Sequence, residues 1–353
     1  MVRYIGGFIT KNKIEPTGAY SDDTASGVWR LNTVYGFRLE NRWPQDLISS
    51  TTAFTAGGTW SSSQRNFIEF QSISSTGDGT DFGDLITTEQ NPVGGSSATR
   101  GCFGPAWLND NLEYITFSSK GNSTDTGNSA TLGRGGAGGG GSVSNGVHYF
   151  PAGGRGSSSS PDTNSQGYTD VIEKVGIATL GNGVDFGDLT QIRGFNASAS
   201  NTTRGIYAGG GALDSGWTAY NIMDYITMSS SGNAVDFGDL TDVWYNNGAS
   251  ASATRMVMAG GTNGSSNTDE IAYVTIASTG NTTDFGDLQN ARKELSSCGS
   301  TTRGLFLGGY TTTNVDTIDY IEFASTGDAS DFGDMLYPVY KRGSISNCHG
   351  GLS

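Results

Sequence analysis

The chain has 353 residues, 55 of them glycine, yet 35% of residues are apolar and 16 Phe, 15 Tyr and 6 Trp are present. Disordered chains are poor in aromatic residues, so the composition describes a folded chain of short strands and many turns. The formal net charge of −14 speaks against nucleic acid and anionic membrane surfaces as partners, because both call for Lys/Arg patches.

Residues 1–48 stand apart from the rest. The opening Met1-Val2-Arg3-Tyr4-Ile5-Gly6-Gly7-Phe8 is too short and too mixed for a signal peptide, and no apolar run reaches transmembrane length. The expectation is synthesis in a cytoplasm without membrane insertion. Between Gly27 and Pro44, Leu31, Val34/Tyr35 and Arg38/Leu39 follow a loose helical spacing that Pro44 stops. Trp29, Tyr35, Phe37 and Trp43 cluster in this stretch. Such a cluster outside a repeat either packs on the main domain or docks onto a larger assembly.

From residue 49 onward the chain repeats. Asp-Phe-Gly-Asp-Leu/Met begins at Asp81, Asp185, Asp236, Asp284 and Asp331, with a degraded copy at Asp125. A period near 50 residues belongs to the propeller range. Four residues before each Asp stands a glycine followed by Asn or Asp, from Gly77-Asp78 to Gly327-Asp328, and this pair predicts a tight turn between antiparallel strands. Upstream lies a strand apolar on both faces, such as Met223 to Met228, as expected of a blade sandwiched between neighbours. Before it come an apolar strand ending in Gly-Gly, such as Arg204 to Gly210, and an innermost strand of small residues, such as Ser296 to Ser300. The fold class is therefore all-β: a six-bladed β-propeller over 49–353, with a short mixed N-terminal segment over 1–48. The Phe of each pentapeptide is expected between blades, and its two Asp in water or capping turns. Most of the net charge follows from those aspartates.

The first blade lacks an inner strand of its own, and Gly343 to Gly351 looks like an inner strand without a blade. The C-terminal strand is thus expected to complete blade 1, with Cys298 and Cys348 at equivalent inner positions as two buried thiols. Gly133 to Ser142 and Gly156 to Gln166 read as surface loops. A loop in blade 4 carries Asp214, Trp217 and Tyr220, a set able to stack on a sugar or to cover the blade's end.

Signals for chemistry are weak. The Glu residues form no acid–nucleophile motif, and the turn from Ser75 to Phe82 only loosely resembles the Asp-box hairpin of sialidases. Arg100, Arg204, Arg255 and Arg303 recur in register, which points to a structural task in each blade. His148 and His349 are the only histidines, too few for a typical transition-metal centre. The Asp-x-x-Asp pairs leave Ca²⁺ binding open, although no compact loop of oxygen ligands is visible. The expectation is no enzyme, no cofactor and no metal.

The Gly-Gly strand, the following Tyr strand and the outer aromatic resemble kelch repeats, with Phe where kelch has Trp. The pattern Gly-Asn-x-x-Asp-Phe-Gly-Asp-Leu more specifically resembles repeats in structural proteins of tailed phages, notably marine ones. The segment Gly27 to Pro44 is similar to a short element of such virion proteins. Blade 2 departs from the pattern, with Gly104-Pro105 where other blades have Gly-Gly. The resemblance implies a virion location as a tail-fibre, tail-tip or head-decoration component, multimeric on the particle, with other virion proteins as partners. On this view Trp29, Tyr35, Phe37 and Trp43 attach the chain to the particle, and Asp214, Trp217 and Tyr220 meet a host-surface glycan or protein. A glycan-binding lectin is the alternative, and a glycan-cleaving enzyme a second one.

Overall fold

Blade 4 shows how the residues make the unit. Ala197–Ser200, of small side chains, pairs antiparallel with the apolar strand Arg204–Ala208. That strand pairs with Ile222–Thr227, and this one with Val235–Asp239, which carries the Asp-Phe-Gly-Asp sequence. Every sheet position of Arg204–Ala208 beyond Arg204 is buried, because a neighbouring blade covers each face. The computed structural model describes residues 51–106, 109–129, 141–155, 163–213 and 216–352, and the same unit recurs through them. Blade 2 runs Gly94–Ser96, Arg100–Phe103, Asn111–Thr116 and Thr124–Asn128; blade 3 runs Gly141–Ser144, His148–Ala152, Val171–Gly176 and Val184–Asp188. Blade 5 runs Gly248–Ala251, Arg255–Ala259, Glu270–Thr275 and Thr283–Asp287; blade 6 runs Ser296–Gly299, Arg303–Tyr310, Asn314–Glu322 and Ser330–Asp334.

Blade 1 is assembled from both ends of this region. Thr52–Ala56, Ser63–Ser72 and Thr80–Glu89 supply its outer strands, and Gly343–Ser346 pairs antiparallel with Thr52–Ala56 as the inner one. The protein is an all-β, six-bladed propeller. No helix among the described residues is long and apolar enough to cross a membrane. Residues 1–48, with Trp29, Tyr35, Phe37 and Trp43, lie outside the described residues.

Serine is used at the axis for a specific reason. The Ser200 hydroxyl donates to the Ser144 carbonyl, Ser144 to Ser96, Ser96 to Ser346, and Ser346 to Gly299. A second level repeats the device with Ser198 on Ser142, Ser297 on Ala249, and Ser344 on Ser297. Neighbouring inner strands are too far apart in direction to form one sheet, yet close enough for a one-carbon hydroxyl arm to satisfy the facing carbonyl. This matters because buried carbonyls left unmet destabilise the fold.

The repeated Gly-Asn pair is not the tight turn that the spacing predicts. The chain reverses one step earlier, where the Ser230 N–H bonds the Thr227 carbonyl. Gly-Asn then docks on the preceding blade. The Gly280 N–H donates to the Phe237 carbonyl, and Asn281 Oδ1 accepts the Asp239 N–H at 3.0 Å. Equivalent side-chain bonds join Asn122 to Asp84, Asn182 to Asn128, Asn233 to Asp188, Asp328 to Asp287 and Asp78 to Asp334. All six blade junctions therefore carry the same latch. The pair is selected by an acceptor aimed at the neighbour, not by reversal of its own chain. Each pentapeptide Phe is buried beside it, as Phe237 is against Tyr225. In blade 2, Thr126 replaces that Phe, but its carbonyl still accepts the Gly181 N–H, so the junction survives the degraded motif.

The repeated arginines also join blades. Arg204 lies over the Tyr225 ring at 4.2 Å and donates to the Ile276 carbonyl of blade 5. Arg100, Arg255 and Arg303 do the same over Tyr114, Tyr273 and Tyr320, reaching Ile177, Phe323 and Ile73. The cysteine register needs correction. Ser344 faces Ser297 along the ring, so the counterpart of Cys298 is Ile345 and not Cys348. Cys348 lies beyond the strand and is only half-buried; all three cysteines are free.

Candidate functional site

The two ends of the axis differ. At one end, after the closing strand, the chain makes a short 3-10 turn at Gly350–Leu352. His349 Nε2 lies 3.0 Å from the Ser96 carbonyl, and the Gly351 N–H donates to His349 Nδ1 at 3.0 Å. These two bonds define a neutral ring with its proton on Nε2. Burial pushes the His349 pKa down to about 4, against the pull of the Ser96 bond.

The opposite end carries the Gly-Gly corners, such as Gly209-Gly210, and the connections between blades. At this end one register position faces the axis with positive φ although it is not glycine: Asn91, Phe195, Asn246, Glu294 and Lys341, at 54° to 64°. A chain of backbone bonds explains the strained conformation. The Asn246 N–H donates to the Phe195 carbonyl, Glu294 to Asn246, Lys341 to Glu294, and Asn91 to Lys341. The left-handed turn swings each N–H towards the previous blade, so the rim is tied head to tail. The side chains at these positions are released from the repeat: two are Asn, and the others are Phe, Glu and Lys.

Below the rim lies a cavity of about 140 Å³. Asn196, Asn247, Ser142, Ser198, Ser297 and Ser344 line it, with Glu294, Lys341 and Arg342 at its wall. Lys341 Nζ stands 3.6 Å from Glu294 Oε1, and Arg342 is bound to Glu69 at 2.7 Å. Burial pushes the Glu294 carboxyl up, against Lys341 and Lys293. Burial and then Glu294 raise Tyr245 and Tyr340.

An aromatic platform adjoins the cavity. Trp217 sits on a small hairpin, Gly211–Leu213 with Trp217–Ala219, inserted after the Gly-Gly corner of blade 4. Its ring is 4.9 Å from Tyr245 and 5.3 Å from Phe195, with Tyr168 at 6.4 Å. Trp217 keeps 38% of its surface exposed, whereas Tyr168 is buried beneath. Phe195 thus belongs both to the platform and to the cavity lining.

Of the residues singled out from sequence, Trp217 is part of this site. Tyr220 follows the hairpin, half-buried, its N–H on the Gly210 carbonyl, and none of the ring contacts among the described residues includes it. Asp214 lies outside the described residues. Phe195, Tyr168, Tyr245, Asn196 and Asn247 were not legible as a site. A signal for Phe195 did exist: its register position holds Asn, Phe, Glu or Lys in an otherwise regular repeat.

Among the described residues no group of three or more His, Cys, Asp or Glu is arranged to hold a metal ion. The buried carboxylates have other partners. Asp224 meets Arg193 at 2.8 Å and Asp319 meets Arg292 at 2.7 Å. Glu113 accepts from Ser123 and the Ile86 N–H, and Glu173 from Ser129. These groups are spent on structure, between blades and away from the cavity. No protein-family model matches the chain, and no curated protein matches it either. The class defined by fold and site is a six-bladed propeller with an aromatic and polar surface around one end of its axis.

Proposed function

We propose that the chain is a structural component of a tailed-phage virion and that the propeller is its interaction module towards the host surface. Two things support this reading. The repeat Gly-Asn-x-x-Asp-Phe-Gly-Asp-Leu, with its kelch-like strands, resembles repeats in such virion proteins. The carrying observation is the platform of Trp217, Phe195 and Tyr245 beside the axial cavity. These rings come from a hairpin and from connections that the blade repeat does not require, and Trp217 is left exposed. Aromatic rings with one wet edge suit contact surfaces.

Residues 1–48 would attach the chain to the particle through Trp29, Tyr35, Phe37 and Trp43, as tail-fibre, tail-tip or head-decoration component. Several copies on one particle would turn weak contacts into useful avidity. The module acts by binding and not by catalysis. The test is competition: purified protein added to host cells should reduce particle adsorption, and Trp217→Ala should weaken the effect. Failure to bind host cells at all contradicts the reading.

The second reading is a propeller lectin, on a particle or free, and the exposed Trp217 against Tyr245 favours it. A glycan panel decides: binding lost in Trp217→Ala supports a lectin, and absence of binding across the panel counts against it. A glycan-cleaving enzyme, the remaining reading, would release reducing sugar from host polysaccharide; none is expected.

A further inference from the structure

The axial cavity holds more polar groups than the protein satisfies. Asn247 is only 7% exposed, yet among the described residues neither its amide nitrogen nor its amide oxygen has a hydrogen-bond partner. Asn196 uses Oδ1 to accept the Gly141 N–H, but among the described residues its Nδ2 has no partner, and the Ser142 hydroxyl has none either. All three residues line the same cavity. A buried polar group left unmet destabilises the fold. The fold does not demand that cost. In blade 6 the register position of Asn196 and Asn247 is held by Leu295, which packs in the apolar core with Leu288 and Phe306. An apolar side chain is therefore compatible with this place in the ring, at least at the blade 6 position held by Leu295.

The cavity's character narrows what it fits. Its ionised wall groups are neutralised in pairs, Lys341 with Glu294 and Arg342 with Glu69, so no charge is spare for an acidic or basic ligand. Its remaining lining is amide, hydroxyl and glycine, interspersed with small or aliphatic residues such as Val93, Ala197 and Leu295, with one aromatic ring, Phe195, at the rim. Its volume of about 140 Å³ lies below the range of roughly 300–1,000 Å³ for drug-sized ligands. That leaves room for one small ring.

We propose that this cavity binds a single neutral sugar residue through Asn247, Asn196 and Ser142, against Phe195. The Trp217 and Tyr245 platform then receives the next residue of a longer glycan. The proposal deepens the reading of the propeller as a host-surface-binding module and rests on it.

The test is calorimetric titration of the full chain with neutral hexoses, N-acetylhexosamines and hexitols, and with one uronic and one sialic acid. Saturable binding of a neutral sugar is expected, weakened about tenfold or more in Asn247→Leu. The Tm of that variant should be unchanged or raised, as Leu295 implies. Should it fall, Ser142→Ala, which removes a hydroxyl without a partner, reads the same loss. Trp217→Ala should keep the single sugar and lose the gain shown by an oligosaccharide. Absence of binding by every neutral sugar, binding of an acidic sugar alone, or binding indifferent to both cavity variants overturns the proposal. Adsorption competition run in parallel separates the two claims. Competition without sugar binding sinks the cavity site and leaves the module standing. Sugar binding without competition keeps the site and removes the module reading.

Discussion

Gly238 of blade 4 lies against Gly280 of blade 5 so closely that a Cβ on Gly238 would come within 2.5 Å of the Gly280 carbonyl oxygen. The φ of Gly238 is +143°, which side chains other than glycine rarely adopt. Gly238→Ala should therefore open the latch between the blades and destabilise the protein by about 1–3 kcal/mol. Thermal or urea unfolding measures this. Gly216→Ala, where a Cβ would meet nothing within 4 Å, is the control and should shift little.

Arg292 and Asp319 form a fully buried pair, 2.7 Å apart, and Arg193 and Asp224 repeat it in blade 4. Blade 5 solves the same space differently, with Trp244 packed near Ala272. Asp224→Ala alone leaves a buried guanidinium without its counter-charge and should cost about 3–5 kcal/mol. Arg193→Trp combined with Asp224→Ala copies the blade 5 solution and should recover most of that loss. A double-mutant cycle on unfolding free energies checks the coupling.

Glu89 is buried, with Thr87 and Asn109 donating to its Oε1, and burial raises its pKa to about 7, with Glu113 adding to the shift. The folded state holds this proton up to about pH 7, whereas an unfolded Glu releases it near 4.5. Stability at this site is thus greatest below about pH 4.5 and declines as pH climbs to about 7. Glu89→Gln keeps an acceptor for both donors. Its Tm should exceed that of the wild type at pH 8, and the gap should close below pH 5.

His349 has the opposite sign. Its pKa is lowered to about 4, so the unfolded state takes up a proton first as the solution is acidified. The neutral ring's contribution is complete above about pH 6.5 and is lost as pH falls towards 4. Protonation puts a hydrogen on Nδ1 against the Gly351 N–H. Hydrogen exchange at Gly351 and Leu352 should accelerate between pH 6 and 4 beyond its intrinsic rate dependence, and His349→Gln should abolish the pH dependence.

The repeat made most of the fold legible. Asp-Phe-Gly-Asp, the glycine corners and the small-residue strands each recur because each meets the same neighbour in the next copy. What stayed hidden depends on residues far apart in the chain. Arg342 meets Glu69 only after the ring closes, and Asn281 finds Asp239 only across a junction. The cysteine register failed for a related reason: Cys348 follows a strand whose length nothing local defines. At the site, Trp217 was visible as an isolated aromatic in a loop. Phe195 and Tyr245 stand about 50 residues apart in two different connections between blades, and only the ring geometry brings them together.

On the reading proposed above, this propeller is a virion part. Mass spectrometry of density-purified particles from a producing culture tests it most directly. A virion part is recovered in fixed stoichiometry with capsid and tail proteins, at a copy number that separates a tail position from a head lattice. Recovery of the chain only in the soluble fraction would contradict it, and would leave the free lectin as the reading to pursue.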